Sequence, residues 1–227
     1  MRALAIETAT TACAIGLVDG ARYEARLLAA DRRHVEVLAP GIAALLADCS
    51  LRASDLERVV VDRGPGLFTG LRVGLATALA LADATGAGLV GVTSLELLAA
   101  GAHGAGVRGR FVGVVDGRRG EVFTQSFELA EAVTALTEPA VEHPRDVVIA
   151  WATNGAPVTF AGDGVTRYAR DFAAVPNGRV HDLDVPPVLA ALAFATREPG
   201  PVTPLYLREA DAVANFVTRD GACRTAP

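Results

Sequence analysis

The chain has 227 residues, of which 51% are hydrophobic and 21% charged, and its formal net charge is −5. A chain of this size can bury one large core or two smaller ones, and its apolar runs are too short to span a membrane, so we expect a soluble cytoplasmic protein. All 21 basic residues are arginine and they form no basic stripe, which argues against unaided binding to a nucleic-acid backbone.

The N-terminal part predicts a β-meander followed by a helix and a fourth strand. Alternating apolar residues predict three strands, and Asp19-Gly20 between the second and the third is typical of a hairpin turn. Apolar residues at helical spacing predict a helix over 35–48, and apolar residues 59–61 predict the next strand. This βββαβ order indicates an α/β protein.

A glycine-rich segment follows that strand and enters a helix predicted over 68–85. Gly64 and Gly66 can reach backbone angles closed to other residues, so successive amides could converge on an anion beside the positive end of the helix. The alternative is a tight connection beneath a packed helix, since no lysine follows as a phosphate-binding P-loop requires. Both interpretations stay open at this point.

The chain then completes one unit and starts a second. Residues 89–92 predict a strand, and Thr93 with Glu96 predicts the capping box of a further helix. The glycine- and alanine-rich segment 102–106 predicts a linker. From 111–115 onward the opening pattern returns, with an apolar strand, an acid, a glycine turn and an alternating strand, which indicates a duplicated chain.

Each half places an acid at the end of its first strand, Glu7 in one and Asp116 in the other. Two acids facing each other across a cleft can hold a metal ion and nucleotide phosphates, although strand-end acids are also ordinary turn residues. We predict an N-terminal domain over 1–103, a C-terminal domain over 107–218 and a flexible tail over 219–227.

The histidines and cysteines predict no metal or catalytic site. The four histidines include no pair at i, i+4 spacing, and the three cysteines lack the spacing of metal ligands. His34 stands at a helix entry, which favours a structural contact there, and His103 falls in the predicted linker. We expect Cys13 and Cys49 to be buried as small hydrophobes, and Cys223 to lie in the tail.

Several motifs together resemble the TsaB family, an actin-like subunit of the bacterial machinery that makes threonylcarbamoyladenosine in tRNA. The resemblance spans most of the chain and rests on the segments 4–8, 33–40, 64–74, 91–95, 116–123, 162–164 and 204–208. The family usually has Asp in place of Glu7 and Ser in place of Ala9 and Leu67. Each departure removes local polar capacity, and the resemblance already implies a weak or vestigial nucleotide site.

The resemblance implies an α/β fold of the actin-like and sugar-kinase-like class, with duplicated domains that are each a mixed sheet with flanking helices. It implies a non-catalytic subunit that binds and supports the catalytic paralogue TsaD, which modifies the adenosine next to the anticodon of ANN-reading tRNAs. Further expected partners are the ATPase TsaE and, for the chain alone, a second copy; tRNA is expected only through the complex, and no membrane. We expect no cofactor on this chain itself, while ATP or ADP with magnesium is compatible with the complex.

The alternative function is an autonomous actin-like enzyme that depends on a nucleotide, an ATPase or a kinase. The pair of strand-end acids favours it. The absence of lysine and of an Asp-x-Gly-Thr fingerprint in the first half argues against it.

Two sets of site residues follow. Weak nucleotide or anion binding is predicted for Glu7, Thr8, Gly64, Gly66, Thr69, Asp116 and Arg118. The apolar residues of the first two helices predict a face that a partner covers, with burial inside the monomer as the alternative. This predicted partner interface comprises Val35, Leu38, Ile42, Leu45, Leu71, Leu75 and Leu79.

Overall fold

The computed structural model describes residues 1–29, 33–183 and 187–208, and within them the chain builds two sheets. The first sheet has the strand order β3-β2-β1-β4-β5, with β1 antiparallel to β2 and parallel to β4. Its strands are β1 (Arg2–Glu7), β2 (Cys13–Asp19), β3 (Arg22–Ala29), β4 (Arg58–Asp62) and β5 (Gly88–Val92). The predicted hairpin is confirmed, because Asp19 pairs with Arg22 across a two-residue turn.

The helices of the first half also follow the predicted pattern. They are α1 (His34–Asp48), α2 (Phe68–Thr85) and α3 (Ser94–Gly104), with a short 3-10 turn at Ala53–Asp55. The predicted capping box is confirmed: the Thr93 side chain accepts from the Glu96 amide at 3.0 Å, and the Glu96 carboxylate accepts from the Thr93 amide at 2.8 Å.

The second sheet has the order β11-β10-β6-β7-β8, and β9 also pairs with β7. Its strands are β6 (Gly109–Arg118), β7 (Glu121–Leu129), β8 (Val133–Ala135), β9 (Ala140–Glu142), β10 (Val158–Ala161) and β11 (Gly178–Val180). The remaining helices are α4 (Pro144–Asn154), α5 (Asp163–Arg167), α6 (Ala169–Phe172) and α7 (Val188–Ala191), followed by a 3-10 turn at Leu192–Phe194.

The two sheets repeat one topology. β6 and β7 stand where β1 and β2 stand, as an antiparallel pair, and β10 and β11 continue the sheet in parallel as β4 and β5 do. The predicted duplicated α/β architecture is therefore confirmed.

The packing of α3 and of the C-terminal segment crosses the predicted domain boundary. Helix α3 lies between the sheets, because Leu97 packs on the first core while Leu95 and Leu98 pack on the second. Val188 and Leu192, from the predicted second domain, pack on the first sheet. Residues 209–227, including the predicted tail, lie outside the described residues.

The linker predicted over 102–106 is wrong in its first part. Helix α3 continues to Gly104, and the Ala102 side chain is fully buried in the second core. His103 is therefore helical, and its Nε2 lies 2.9 Å from the Ala130 carbonyl oxygen. The apolar side of this last turn explains the difference, since its burial outweighs the glycine and alanine composition.

The predictions for the side chains of His34, Cys13 and Cys49 are confirmed. His34 is buried at the start of α1 with Nε2 2.8 Å from the Ala12 carbonyl oxygen, which is a structural contact at the helix entry. Cys13 and Cys49 are both buried thiols. Within the described residues, no helix is both long enough and apolar enough to traverse a bilayer.

Candidate functional site

Glu7 ends β1 and is completely buried. Its Oε1 accepts hydrogen bonds from the amides of Ala9 at 2.9 Å and Thr10 at 3.2 Å, so the carboxyl group organises the loop that follows the strand. Among the described residues, its Oε2 has no hydrogen-bond partner although it is buried. An unpartnered buried oxygen is costly if it carries charge.

Asp62 is a second buried acid at the same edge of the sheet, and the sequence did not point to it. It ends β4, and the parallel register pairs Ile6 with Val61, so Glu7 and Asp62 are neighbours on one face. Asp62 Oδ1 accepts from the Gly64 amide at 2.7 Å and from the Ser94 hydroxyl at 2.9 Å. Its Oδ2 is buried and, within the described chain, unpartnered. The signal was an acid ending an apolar strand directly before the glycine-rich segment.

Burial changes the protonation of both acids. Burial, and then the neighbouring Asp62 carboxylate, raise the pKa of Glu7 well above its usual value of 4.5. Burial also raises the pKa of Asp62 from 3.8 to about 7, against the opposing effect of its hydrogen bonds from Gly64 and Ser94. The pair therefore retains protons near neutral pH when no cation is bound.

The glycine-rich segment is filled by the loop after β1. A Cβ atom at Gly66 would collide with the Ala9 carbonyl, and one at Gly70 would collide with the Thr8 carbonyl. The Leu67 amide donates to the Ala9 oxygen at 2.6 Å. This packing contradicts an open anion cradle at Gly64, Gly66 and Thr8 and supports the tight connection.

Thr8 and Thr69 take different places in this arrangement. Thr8 is fully buried, its Oγ1 has no hydrogen-bond partner in the described part of the chain, and a Cβ at Gly74 would collide with it. Thr69 is exposed in the first turn of α2. The predicted set of anion-binding groups in the first half therefore does not converge on one point.

The second half keeps a polar turn at the equivalent place. Asp116 Oδ1 accepts from the Arg118 amide at 2.9 Å, and its Oδ2 lies 3.0 Å from Arg118 Nη1 and 3.5 Å from Arg167 Nε. Arg118 and Arg119 both adopt positive φ angles, of 62° and 55°. Arg119 and Gly120 form the two-residue loop between the paired residues Arg118 and Glu121, and positive φ at both loop positions is the favoured geometry of such a hairpin.

The two strand-end acids predicted to face each other across a cleft, Glu7 and Asp116, each have close charged neighbours of their own. The acid that perturbs Glu7 is Asp62, whereas Asp116 is neutralised by Arg118 and Arg167. Across the described ranges, no group of three or more histidine, cysteine, aspartate or glutamate side chains is placed to hold a metal ion. The first half therefore offers a protonated acid pair and the second an arginine-rich turn.

Comparison with known proteins shows which family this architecture belongs to. The family model described as TsaD, tRNA N6-adenosine threonylcarbamoyltransferase, matches residues 28–180. The chain is 30% identical to the tRNA threonylcarbamoyladenosine biosynthesis protein TsaB of Escherichia coli, over 68% of this chain and 71% of that protein. The chain belongs to the TsaB family. It is also 36% identical to an uncharacterized protein of Mycobacterium tuberculosis, over 92% of each chain.

A solved structure agrees with this membership. It is a Pseudomonas aeruginosa protein described as similar to peptidase YEAZ, and it superimposes with a TM-score of 0.80 at 26% identity. The match covers 91% of this TsaB-family chain and 99% of that one. The likeness therefore includes both sheets.

The predicted partner interface of this TsaB-family chain is wrong for five of its seven residues. Leu38, Ile42, Leu45 and Leu75 are buried in the core of the first half, and Leu71 is buried beside Gly64, so these five are not open to a partner. For these five residues the alternative, burial inside the monomer, describes the structure. Val35 and Leu79 remain exposed, at 71% and 46%.

The exposed side of α1 and α2 carries several alanines and larger apolar residues, beside the exposed acids Glu36, Asp48 and Asp83. We define the outer helix face as Val35, Ala39, Ala43 and Ala47 of α1 with Phe68, Arg72, Ala76 and Leu79 of α2, all of them exposed. At its edge the Arg72 guanidinium lies 3.7 Å from the centre of the Phe68 ring, and that ring packs 5.4 Å from Tyr206. A cluster of Phe68, Arg72 and Tyr206 thus lies at the edge of the outer helix face.

Proposed function

We propose that this chain is a non-catalytic subunit of the machinery that makes threonylcarbamoyladenosine in tRNA. The observation that carries the proposal is the closed loop of the first half, together with membership of the TsaB family. The Escherichia coli relative is named as a biosynthesis protein of this modification. Since the loop after β1 is packed against the glycine-rich segment and α2, the chain keeps the architecture of a nucleotide-handling fold without an open site in this half.

The protonated acid pair supports a non-catalytic role. Metal-assisted transfer of a phosphoryl or acyl group needs ionised oxygen ligands that face an accessible cavity. Glu7 and Asp62 are fully buried and have raised pKa values, and Asp116 is already paired with arginines. With two acids buried and the third already paired, this set does not favour chemistry at a bound nucleotide.

The outer helix face supports binding of the catalytic relative TsaD. The TsaD family model matches residues 28–180, a range that contains both α1 and α2, so the partner carries a related helix pair. Two helix pairs with small residues on their outer faces can approach closely and pack as a four-helix contact. Phe68, Arg72 and Tyr206 provide the aromatic and arginine anchors that dominate such interfaces.

The other members of the complex are proposed from the resemblance to the TsaB family. We propose that the ATPase TsaE joins the heterodimer and that tRNA is bound by the complex and not by this chain alone. If the complex holds ATP or ADP with magnesium near this subunit, the arginine-rich turn at Arg118 is the place where its phosphates would be met.

The test is reconstitution from purified proteins. The chain alone should neither hydrolyse ATP nor modify tRNA, and tRNA threonylcarbamoylation by the catalytic relative should require its addition. ATP hydrolysis by the chain alone, lost in Asp116→Asn and Glu7→Gln variants, would favour the autonomous enzyme instead.

A further inference from the structure

A cavity of about 210 Å³ opens on the second sheet beside α4, apart from every group described above. Strand β7 forms its floor, the segment that leads through β9 forms one wall, and α4 forms the opposite wall. The residues on which its chemistry depends are Thr124, Ser126, Glu138, Glu142, Val147 and Trp151.

The floor of this cavity is polar where the first half is apolar. Strands β2 and β7 take the same place in the duplicated topology. On the helix-covered face of β2, Ile15 and Leu17 pack in the first core together with residues of α1. On the helix-covered face of β7, Val122 packs in the core, but Thr124 and Ser126 line the cavity. The second half has therefore replaced part of a helix contact by a space with hydroxyl groups, which suits a polar ligand.

Glu142 brings a carboxylate into this space. The register of β7 and β9 places Glu142 opposite Val122, so its side chain stands on the same face of the sheet as Thr124. Its Oε2 accepts a hydrogen bond from the buried Thr124 hydroxyl, which holds the carboxylate over the floor. Glu138 lines the cavity from the exposed segment before β9.

The charge of the cavity is negative and is not balanced by its own lining. Neither an arginine nor a histidine is among the lining residues, although the chain has 21 arginines. Among the described residues, Glu138 and Glu142 form no ion pair with an arginine. His143, next to Glu142 in sequence, is turned to the Gly120 carbonyl oxygen, 3.3 Å from its Nδ1. A cation from outside the chain would therefore meet two carboxylates without competition.

Trp151 gives the cavity an aromatic wall. Its ring is held edge to face against Phe160, with ring centroids 6.3 Å apart and an interplanar angle of 89°, and the side chain remains partly exposed. An indole face attracts a cation, and a carboxylate accepts its N–H groups. Val147 and Ala150, which also line this wall, offer apolar contacts to a short hydrocarbon stem.

We propose that this cavity binds a small aliphatic amine in its protonated form. An ammonium group has three donors and no acceptor, and the Glu142 carboxylate and the Ser126 hydroxyl are acceptors on its side of the cavity. The hydrocarbon stem lies against Trp151 and Val147. The site belongs to the second half and uses no residue of the outer helix face, so it stands independently of the proposed function.

The fluorescence of Trp151 tests the proposal directly, because it is the only tryptophan of the chain. Titration of the full-length protein with putrescine should change the emission to a saturating value. The diol analogue of putrescine, in which a hydroxyl replaces each ammonium, should bind about tenfold more weakly or less, since it keeps the stem and lacks the charge. Equal affinity for the two compounds would overturn the proposal, as would the absence of a response to putrescine at concentrations on the order of 10 mM.

Two glutamate variants locate the amine. Glu142→Gln keeps an oxygen that can accept from the Thr124 hydroxyl, so it should fold, but it removes the charge and should weaken putrescine binding about tenfold. Glu131→Gln is the matched control, because it removes an exposed charge of the same half outside the cavity and should bind as wild type. Circular dichroism confirms the fold of each variant. Unchanged affinity in Glu142→Gln, or an equal loss in both variants, would place the amine elsewhere on the acidic surface and overturn the proposal.

Calorimetry extends the test to the aromatic wall, where the variants no longer carry the fluorescent group. Trp151→Phe keeps a ring of weaker attraction and should reduce the affinity about threefold, whereas Trp151→Leu keeps only an apolar side chain and should reduce it about tenfold. Wild-type affinity in a folded Trp151→Leu variant would show that the cation does not contact the indole, and the site would then be wrong.

Discussion

The first half closes the loop after its central strand, whereas the second half keeps an exposed turn at the same place in the topology. In the first half Gly66 and Gly70 have no Cβ, so α2 can press against the loop after β1. In the second half Arg118 and Arg119 form a turn around Asp116. One topology thus supports a packed end and a polar end, although glycines approach backbone closely in both halves, Gly66 and Gly70 in the first and Gly162 in the second.

The acids of the two halves differ for the same reason. Glu7 and Asp62 are sealed by this packing and have raised pKa values, because water no longer stabilises their charged forms. Asp116 lies beside two arginines that are themselves partly exposed. The acids of the first half are therefore enclosed in the packed loop, whereas the second half retains arginines that can bind an anion.

The largest expected effect is on stability, from adding a methyl group to the closed loop. In Gly70→Ala the new Cβ atom would collide with the Thr8 carbonyl. Because that contact is with backbone and not with a flexible side chain, we expect a loss of about 3 kcal/mol in the free energy of unfolding. The matched control is Gly104→Ala at the end of α3, where a Cβ meets open space. Urea denaturation measures both. Equal stability of the two variants would show that the loop is loosely packed.

The next effect is a pH dependence that belongs to the first half. The folded-state pKa of Asp62 is about 7 against 3.8 for the free side chain, so the native state binds the proton more tightly. This contribution is fully favourable below about pH 4 and is lost as the pH rises through about 7. Asp62→Asn keeps the Oδ1 acceptor and cannot ionise, so at about pH 8 it should be more stable than wild type by about 2 kcal/mol.

Asp116→Asn is the corresponding change in the second half. It removes the charge of a buried carboxylate that accepts from the Arg118 amide and pairs with two partly exposed arginines, Arg118 and Arg167, so it should lower stability by about 1–2 kcal/mol. Thermal unfolding across the pH range separates the two variants. A gain in stability for Asp116→Asn, or a loss for Asp62→Asn at about pH 8, would reverse the comparison between the halves.

The smallest effect on stability is expected at the turn itself. Arg118→Ala removes a side chain that is 36% exposed and should change the free energy of unfolding by less than about 1 kcal/mol. If this turn faces the phosphates in the complex, the same variant should weaken ADP binding by the assembled complex about tenfold. Calorimetry on the complex checks this. Unchanged affinity would remove the second half from any nucleotide site.

The sequence predicted the elements well where the signal is local. The helix over 68–85, the hairpin at Asp19-Gly20 and the capping box at Thr93 depend on neighbouring residues, and all three are confirmed. Side-chain environment depends on what packs from elsewhere. Leu75 and Leu79 both fit an apolar helix, yet one is 5% and the other 46% exposed, because only one side of α2 meets the sheet.

The candidate site was less predictable, for a related reason. Asp62 becomes a partner of Glu7 only through the parallel register of β1 and β4, which joins residues far apart in sequence. The glycines were recognised as permissive, but their function is to admit the carbonyls of Thr8 and Ala9 and not an anion. Which group fills a glycine-lined space depends on tertiary packing and cannot be predicted from the local sequence.

The most direct measurement of the central claim is the affinity of the catalytic relative for two matched variants. Leu79→Glu alters the outer helix face, and Ile149→Glu alters an exposed apolar residue on α4, the helix that stands in the second half where α1 stands in the first. We predict that Leu79→Glu weakens binding at least tenfold and lowers tRNA modification, while Ile149→Glu behaves as wild type. Undiminished binding and activity with Leu79→Glu, in a folded protein, would contradict the account.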